Sequence, residues 1–269
     1  MATMPWPPAG RVFAALTPCG ERCDNTGLPL PVLIMTRRPP LALLFDLDDT
    51  LWPIGPVIAA AELSWHAWLA EHAPGVTQQY TIAELRARRM ALLERQPELV
   101  TDLYRLRRLG LEAAFAETGE DPAHIDGAMQ LFHQLRNAVT PFDDVPAALV
   151  TLQGMLRLGV ITNGNADLEV IGLHHHFEYT LASARFGRAK PDPAIFLAAC
   201  EAMGLAPQDV VYVGDDLRLD VQGAQGVGMR AVWMNRSGSN AHLEAGITPD
   251  AICSSFDDLL HWIKAQMQH

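Results

Sequence analysis

An α/β fold, with a doubly wound parallel-sheet core and an inserted all-helical domain, is predicted by three observations. Short continuous apolar runs end in polar or acidic residues, helical stretches alternate with those runs, and one long stretch, residues 54–140, contains no strand-like run. A ligand crevice is then expected at the carboxyl ends of the strands.

The first run, Leu41-Ala42-Leu43-Leu44-Phe45, has the unbroken apolar character of a parallel strand buried on both faces. Similar runs occur at residues 158–162, 179–183, 210–213 and 231–234, separated by expected helices near 144–156, 166–173, 193–203, 217–227 and 257–266. Within residues 54–140 the apolar residues follow helical spacing: Leu63, Ala67 and Ala70, then Leu85, Met90, Leu92 and Leu93, then Leu103, Leu106, Leu109 and Leu111. The expected organisation is an irregular extension over 1–40, a core of 41–53 and 141–269, and a helical insertion of 54–140. An insertion after the first strand would sit over the crevice, where it can close on a ligand and exclude water.

The extension holds eight of the 19 prolines and no sustained period. Met35 precedes the first strand closely enough to serve as a translation start. Of the four cysteines, Cys19 and Cys23 lack the two further ligands a zinc site needs, and reduced thiols in the cytoplasm are expected. No signal peptide is read. With 49% apolar and 19% charged residues the chain reads as globular, and it has no run of the roughly 18 apolar residues that a span requires. Its formal charge of −11 repels phosphate backbones and anionic lipid, so neither nucleic acid nor membrane is an expected partner. Oligomeric state stays open.

Four signals carry chemistry. In Phe45-Asp46-Leu47-Asp48-Asp49-Thr50-Leu51, residues two apart on an extended segment share a face, so Asp46 and Asp48 can approach one ligand; helix capping or a solvated turn is the plainer reading of a bare DxD. Val160-Ile161-Thr162-Asn163-Gly164-Asn165 is a strand ending in a hydroxyl and a glycine-containing turn, which can hold phosphate oxygens. In Gly187-Arg188-Ala189-Lys190-Pro191-Asp192-Pro193, Asp192 and Pro193 read as helix cap and first helical residue. The chain has 18 arginines and only two lysines, so Lys190 suggests a need for a compact point charge. Val211-Tyr212-Val213-Gly214-Asp215-Asp216-Leu217-Arg218-Leu219-Asp220 delivers three acids to one strand end, hard oxygen ligands of the kind that suit Mg²⁺; capping by Asp215 or Asp216 is the alternative.

Together and in this order, DLDDTL, TNG, AKPDP and GDD with Asp220 resemble the haloacid-dehalogenase-like phosphatase superfamily over residues 41–262. The resemblance implies a Rossmann-like core and makes residues 54–140 a helical cap of that superfamily's first class. The stretches around Thr162 and Asp215 further resemble a bacterial branch that dephosphorylates FMN and the phosphorylated ribitylaminouracil intermediate of riboflavin synthesis.

What the resemblance implies is a Mg²⁺-dependent phosphatase of a small-molecule phosphate ester. Asp46 would be the nucleophile and Asp48 the acid that protonates the leaving alcohol and then activates water. Asp46, the Asp48 carbonyl and Asp215 would hold the metal, with Lys190 opposite. Thr162, Asn163 and Lys190 would bind phosphate oxygens, and Asp216 and Asp220, which the sequence does not rank, would orient the others. The superfamily's dehalogenases lack the second motif acid, which this chain retains as Asp48. A phosphomutase or phosphotransferase on the same core, and a non-catalytic binding protein on the fold, are the alternatives.

Other features invite plainer readings. Three consecutive rings at His174, His175 and His176 cannot converge from a regular element and read as a solvated helix-to-strand connection. Arg86, Arg88, Arg89, Arg95, Arg105, Arg107 and Arg108 read mostly as a solvated helix face balanced by Glu84, Glu94, Glu98 and Asp102. Trp52, Trp65 and Trp68 read as hinge and core residues of the insertion.

Overall fold

Every residue of strand β1 (Ala42–Phe45) has zero exposure, as a strand covered on both faces must. In a computed structural model, which describes residues 38–268, this strand belongs to a six-stranded sheet. Strands β2 (Arg157–Thr162), β3 (Tyr179–Ala182), β4 (Val210–Gly214), β5 (Arg230–Met234) and β6 (Ala251–Cys253) complete it, all parallel, in the order β3-β2-β1-β4-β5-β6. This is the doubly wound sheet the sequence predicts. Its sixth strand was not expected, because three residues at a sheet edge establish no period.

Alternation along β1 sorts the core into two layers. Leu43 and Phe45 face α6 (Val145–Gln153) and α12 (Phe256–Gln266) through Leu149, Leu152, Phe256 and Ile263. Ala42 and Leu44 face α9 (Pro193–Met203) through Ile195, Phe196 and Ala199. The register pairs Phe45 with both Val160 and Val213, so the carboxyl ends of β2, β1 and β4 lie level at one edge. That alignment brings the DxD, TNG and GDD segments side by side.

Between β1 and α6 run five α-helices: α1 (Ile54–His72), α2 (Pro74–Gln79), α3 (Ile82–Arg95), α4 (Leu103–Thr118) and α5 (Ile125–Arg136). They share a separate core of Trp65, Leu69, Leu85, Leu111, Phe115, Met129 and Phe132. The described residues nonetheless cluster as one unit, and the Ser183 hydroxyl just after β3 donates to the Thr101 carbonyl of the insertion at 2.9 Å. The remaining helices are α7 (Leu168–Ile171), α8 (Ser183–Phe186), α10 (Gly223–Gly226) and α11 (Ala241–Ala245). Among the described residues no helix is long and apolar enough to cross a membrane. Residues 1–37, including Cys19, Cys23 and Met35, lie outside the described residues. Cys200 and Cys253 are buried, and burial pushes their thiols up to about 11 and about 12.

The helical spacing of Leu63, Ala67 and Ala70 falls on α1 as expected, but on its outer face: Leu63 is 64% exposed, and Ala67 and Ala70 are exposed. Helix α1 is apolar on most sides, and the packing of Trp65 and Leu69 decides which side turns inward, with Trp65 Nε1 donating to the Ala128 carbonyl at 2.9 Å. Met90 and Leu103 are likewise exposed. Nor are all the arginines a solvated face. Glu62, on the buried side of α1, binds Arg89 at 2.7 Å and also Arg86, and Arg107 Nη1 stands 3.8 Å away while its guanidinium lies 3.4 Å over the Phe132 ring. Burial pushes the Arg107 guanidinium down to about 9, helped by Arg89 beside it.

The three histidines form a short turn in which His174 and His175 are exposed and His176 is buried against Gln153. Trp52 is fully buried, and Trp68 stacks on His72 with ring centroids 4.0 Å apart.

Glu62→Gln removes the carboxylate that the largely buried Arg89 and Arg107 share with the exposed Arg86. Urea titration is expected to show a loss of about 3 kcal/mol, the scale for breaking a buried pair by deleting one partner.

Candidate active site

Asp46 stands one residue beyond β1, and its N–H extends the ladder to the Val213 carbonyl at 2.9 Å. Its carboxylate is nearly buried, and Oδ1 accepts from Lys190 Nζ at 2.6 Å. The same ammonium donates to Asp220 Oδ1 at 2.6 Å and to the Tyr212 hydroxyl at 2.9 Å. All three of its donors are thereby satisfied. Burial opposes charge on Lys190, yet Asp220 and Asp46 outweigh it and hold the ammonium well above its ordinary range. Burial raises the Asp46 carboxyl well above its ordinary value, against the pull of Lys190.

Local sequence explains how the lysine arrives there. Asp192 caps α9 by accepting from the Ala194 N–H, and Pro193 opens that helix, as the sequence predicts. Just before the cap, the Asn163 amide brackets the Lys190 main chain, accepting from its N–H at 2.8 Å and donating to its carbonyl at 3.0 Å. The Asn163 side chain thereby holds the Lys190 backbone in place. Thr162 Oγ1 accepts from the Gly164 N–H at 2.9 Å. A Cβ on Gly164 would lie 2.7 Å from Asp48 Oδ2, so only glycine lets this turn approach so closely.

Asp48 occupies the same strand end. Trp52 Nε1 donates to its Oδ1 at 2.8 Å, and Arg136 Nη2 reaches Oδ2 at 2.9 Å and Oδ1 at 3.2 Å. Asp49, at φ 61°, takes the left-handed turn that sends the chain out into the insertion, and its carboxylate accepts the first N–H of α1.

On the other side, Asp215 follows β4. Burial pushes its carboxyl up to about 7, helped by the negative charges of Asp220 and Asp49. Thr50 Oγ1 donates to it at 3.4 Å. Asp216 caps the next segment, accepting from the Arg218 and Leu219 N–H groups, both at 2.8 Å. That segment, Leu217–Gln222, is wound as a wide π turn in which the Val221 N–H reaches the Asp216 carbonyl. The wide turn directs Asp220 inward to 1% exposure, where its Oδ2 accepts from the Asp216 N–H at 3.0 Å. The two acids that sequence could not rank thus separate: Asp220 faces Lys190 and Asp216 is a cap.

Asp46, Asp215 and Asp220 each bring an oxygen within 4.8 Å of the others. Three carboxylates around one ammonium leave surplus negative charge, and an all-oxygen donor set of this kind fits a hard divalent cation. The two Asp220 oxygens serve Lys190 and the Asp216 N–H, which leaves Asp46 and Asp215 as the carboxylates best able to hold one.

The described residues therefore gather Asp46, Asp48, Thr162, Lys190, Asp215 and Asp220 at one edge. A family model for haloacid dehalogenase-like hydrolases matches residues 41–228. This chain belongs to that family. Among curated relatives, it is 34% identical over 197 residues to the 5-amino-6-(5-phospho-D-ribitylamino)uracil phosphatase YigB of Escherichia coli strain K12, covering 72% of this chain and 82% of that one. It is 31% identical to a phosphoserine phosphatase of Thermus thermophilus, covering 72% and 88%. A solved 2-haloacid dehalogenase from Pseudomonas syringae superposes with a TM-score of 0.78 at 35% identity, covering 84% of this chain and 99% of that one.

Two residues at the site escaped the sequence reading. Tyr212 left a trace, since a phenol inside an otherwise apolar buried strand must find a polar partner. Arg136 left none in its local sequence; its partner is 88 residues away.

Lys190→Met leaves Asp46 and Asp220 buried without their cation. In buffer free of divalent metal, urea unfolding is expected to register a loss of about 3 kcal/mol or more.

Proposed function

We propose that this chain is a Mg²⁺-dependent phosphatase that hydrolyses a small-molecule phosphomonoester through an aspartyl-phosphate on Asp46. The observation that carries the reading is Asp46 itself, placed at the strand edge with one oxygen on Lys190 and the carboxylate grouped with Asp215, while Asp48 stands two residues on. The names of the curated relatives support the same chemistry.

In this reading Asp46 attacks phosphorus, forming an O–P bond as the ester P–O bond breaks. The departing alkoxide takes a proton from Asp48, which then accepts a proton from the water that attacks the phosphoenzyme and releases inorganic phosphate. Lys190 sets the direction of the Asp46 carboxylate and balances charge as it forms the new bond. Thr162 and the main chain of the following turn hold phosphate oxygens, and Asn163 acts by fixing Lys190. Asp46, Asp215 and the Asp48 carbonyl would hold Mg²⁺, whose charge offsets the repulsion between a phosphate dianion and a carboxylate.

Asp48 separates this reading from dehalogenation, despite the likeness to the Pseudomonas structure, because displacing halide needs no proton donor. For the leaving group, an open cleft of 430 Å³ lined by Tyr104, Gln130, His133 and Asn165 lies where the insertion meets the turn after Thr162. An aromatic face beside amide groups suits a ring-bearing polyol phosphate such as FMN or the phosphorylated riboflavin precursor.

The test is phosphate release from FMN, sugar phosphates, nucleotides and p-nitrophenyl phosphate, alongside halide release from 2-chloropropionate. Mg²⁺-dependent phosphate release that EDTA abolishes is expected, with no halide release. Asp46→Asn is expected to lose at least about 100-fold, the scale of a removed catalytic participant. Turnover like that of the unmodified protein in this variant contradicts the nucleophile assignment.

A further inference from the structure

We propose that Arg136 is a positioning residue that aims Asp48 for proton transfer, so that the acid is correctly directed only when the helical insertion is docked on the sheet. The proposal rests on the reading of Asp48 as proton donor.

Arg136 occupies an apolar position. Ile125, Ala128, Met129 and Phe132 form the buried stripe of α5, and Arg136 continues it one turn further at 2% exposure. A guanidinium taken out of water in this way needs a partner of opposite charge. The partner lies in the core, where Arg136 Nη2 spans both oxygens of Asp48. Nη1 turns instead to Asn137 Oδ1 at 3.4 Å, and that oxygen also accepts from the Asp167 N–H of the loop before α7 at 2.9 Å. The end of α5 is thus tied to the core at two points.

The second donor to Asp48 is Trp52 Nε1, from the other chain crossing between core and insertion. Trp52 lies on the outgoing crossing, Arg136 on the returning one, and the Phe142 N–H to Leu51 carbonyl bond of 3.0 Å links the two. One donor from each crossing fixes the plane of the carboxylate. Gly164 forms the third wall, where an added Cβ would lie 2.7 Å from Asp48 Oδ2 and 3.6 Å from Arg136 Nη2. A shift of α5 relative to the sheet carries Arg136 with it and rotates the acid. Arginine suits this duty because its second terminal nitrogen is held by Asn137 while the first meets both carboxylate oxygens, whereas a lysine has a single nitrogen for both tasks.

A misdirected acid harms only those reactions that need its proton. An alkyl ester releases a strongly basic alkoxide, while p-nitrophenolate departs without protonation. The experiment compares kcat/KM, which reports steps up to phosphoenzyme formation, for β-glycerophosphate and p-nitrophenyl phosphate. The proteins are the unmodified chain, Arg136→Gln, Arg136→Lys, Asp48→Asn and the Arg136→Gln/Asp48→Asn double variant, each checked by urea unfolding.

Arg136→Gln is expected to lose about 30-fold or more on β-glycerophosphate, within the range of general-acid contributions, and less than about threefold on p-nitrophenyl phosphate. Arg136→Lys, which also serves if the Gln variant does not fold, is expected to keep the same selectivity at smaller amplitude. The double variant should have the alkyl-to-aryl ratio of Asp48→Asn alone, as two residues acting in one step do. Equal losses on both substrates mean that Arg136 binds phosphate or merely stabilises the fold, and overturn the proposal, as does an unchanged ratio. If Asp48→Asn itself shows no alkyl-selective loss, the reading of Asp48 fails and this proposal fails with it. A selective loss in Asp48→Asn but not in Arg136→Gln overturns the positioning role alone.

Discussion

A single buried ammonium organises this end of the sheet. Lys190 Nζ sits between Asp46, Asp220 and the Tyr212 hydroxyl, with every donor used. An isolated charge at such depth would cost several kcal/mol, so the arrangement persists only while the partners hold their places. Those places come from four chain segments: the end of β1, the strand β4, the wide turn that turns Asp220 inward, and the Asn163 amide that grips the Lys190 main chain. Parallel strands with level carboxyl ends make this convergence possible, since each contributes its next residues to the same crevice.

Charge at the site is deliberately unbalanced. Asp215 receives no ammonium of its own, and its carboxyl rises to about 7 as burial and neighbouring acids act together. A surplus of carboxylate is unfavourable in a bare protein and useful in one that binds a divalent cation. At short range the nearest groups are four carboxylates, Asp46, Asp48, Asp215 and Asp220, against two cations, Lys190 and Arg136, so the local field has the same sign as the whole-chain charge of −11. The two cations have different surroundings: Lys190 belongs to the core, while Arg136 arrives from the insertion.

Much of this was legible in the sequence because it depends on local pattern. Buried parallel strands read as unbroken apolar runs, and the end of each run marks the crevice, which is how Asp46, Thr162 and Asp215 could be named. The scarcity of lysine singled out Lys190 on composition alone. What escaped depends on tertiary packing. Helix α1 offers apolar residues on several sides, so spacing alone gives the helix, while packing decides that Trp65 and Leu69 turn inward and Leu63 outward. Glu62 and Arg136 occupy core stripes as charged residues, and a local pattern treats these as breaks instead of as buried pairs formed with distant partners. The bonds from the Asn163 amide to the Lys190 backbone, across 27 residues, were likewise beyond any local pattern.

The claim on which the account turns is covalent transfer to Asp46, and it can be tested by trapping. Protein mixed with a hydrolysed phosphate ester and Mg²⁺, quenched in acid and reduced with borohydride, converts an acyl phosphate of aspartate to homoserine. Peptide mass spectrometry is expected to find homoserine at position 46 and nowhere else. Conversion at another aspartate, or none while phosphate is being released, contradicts the account.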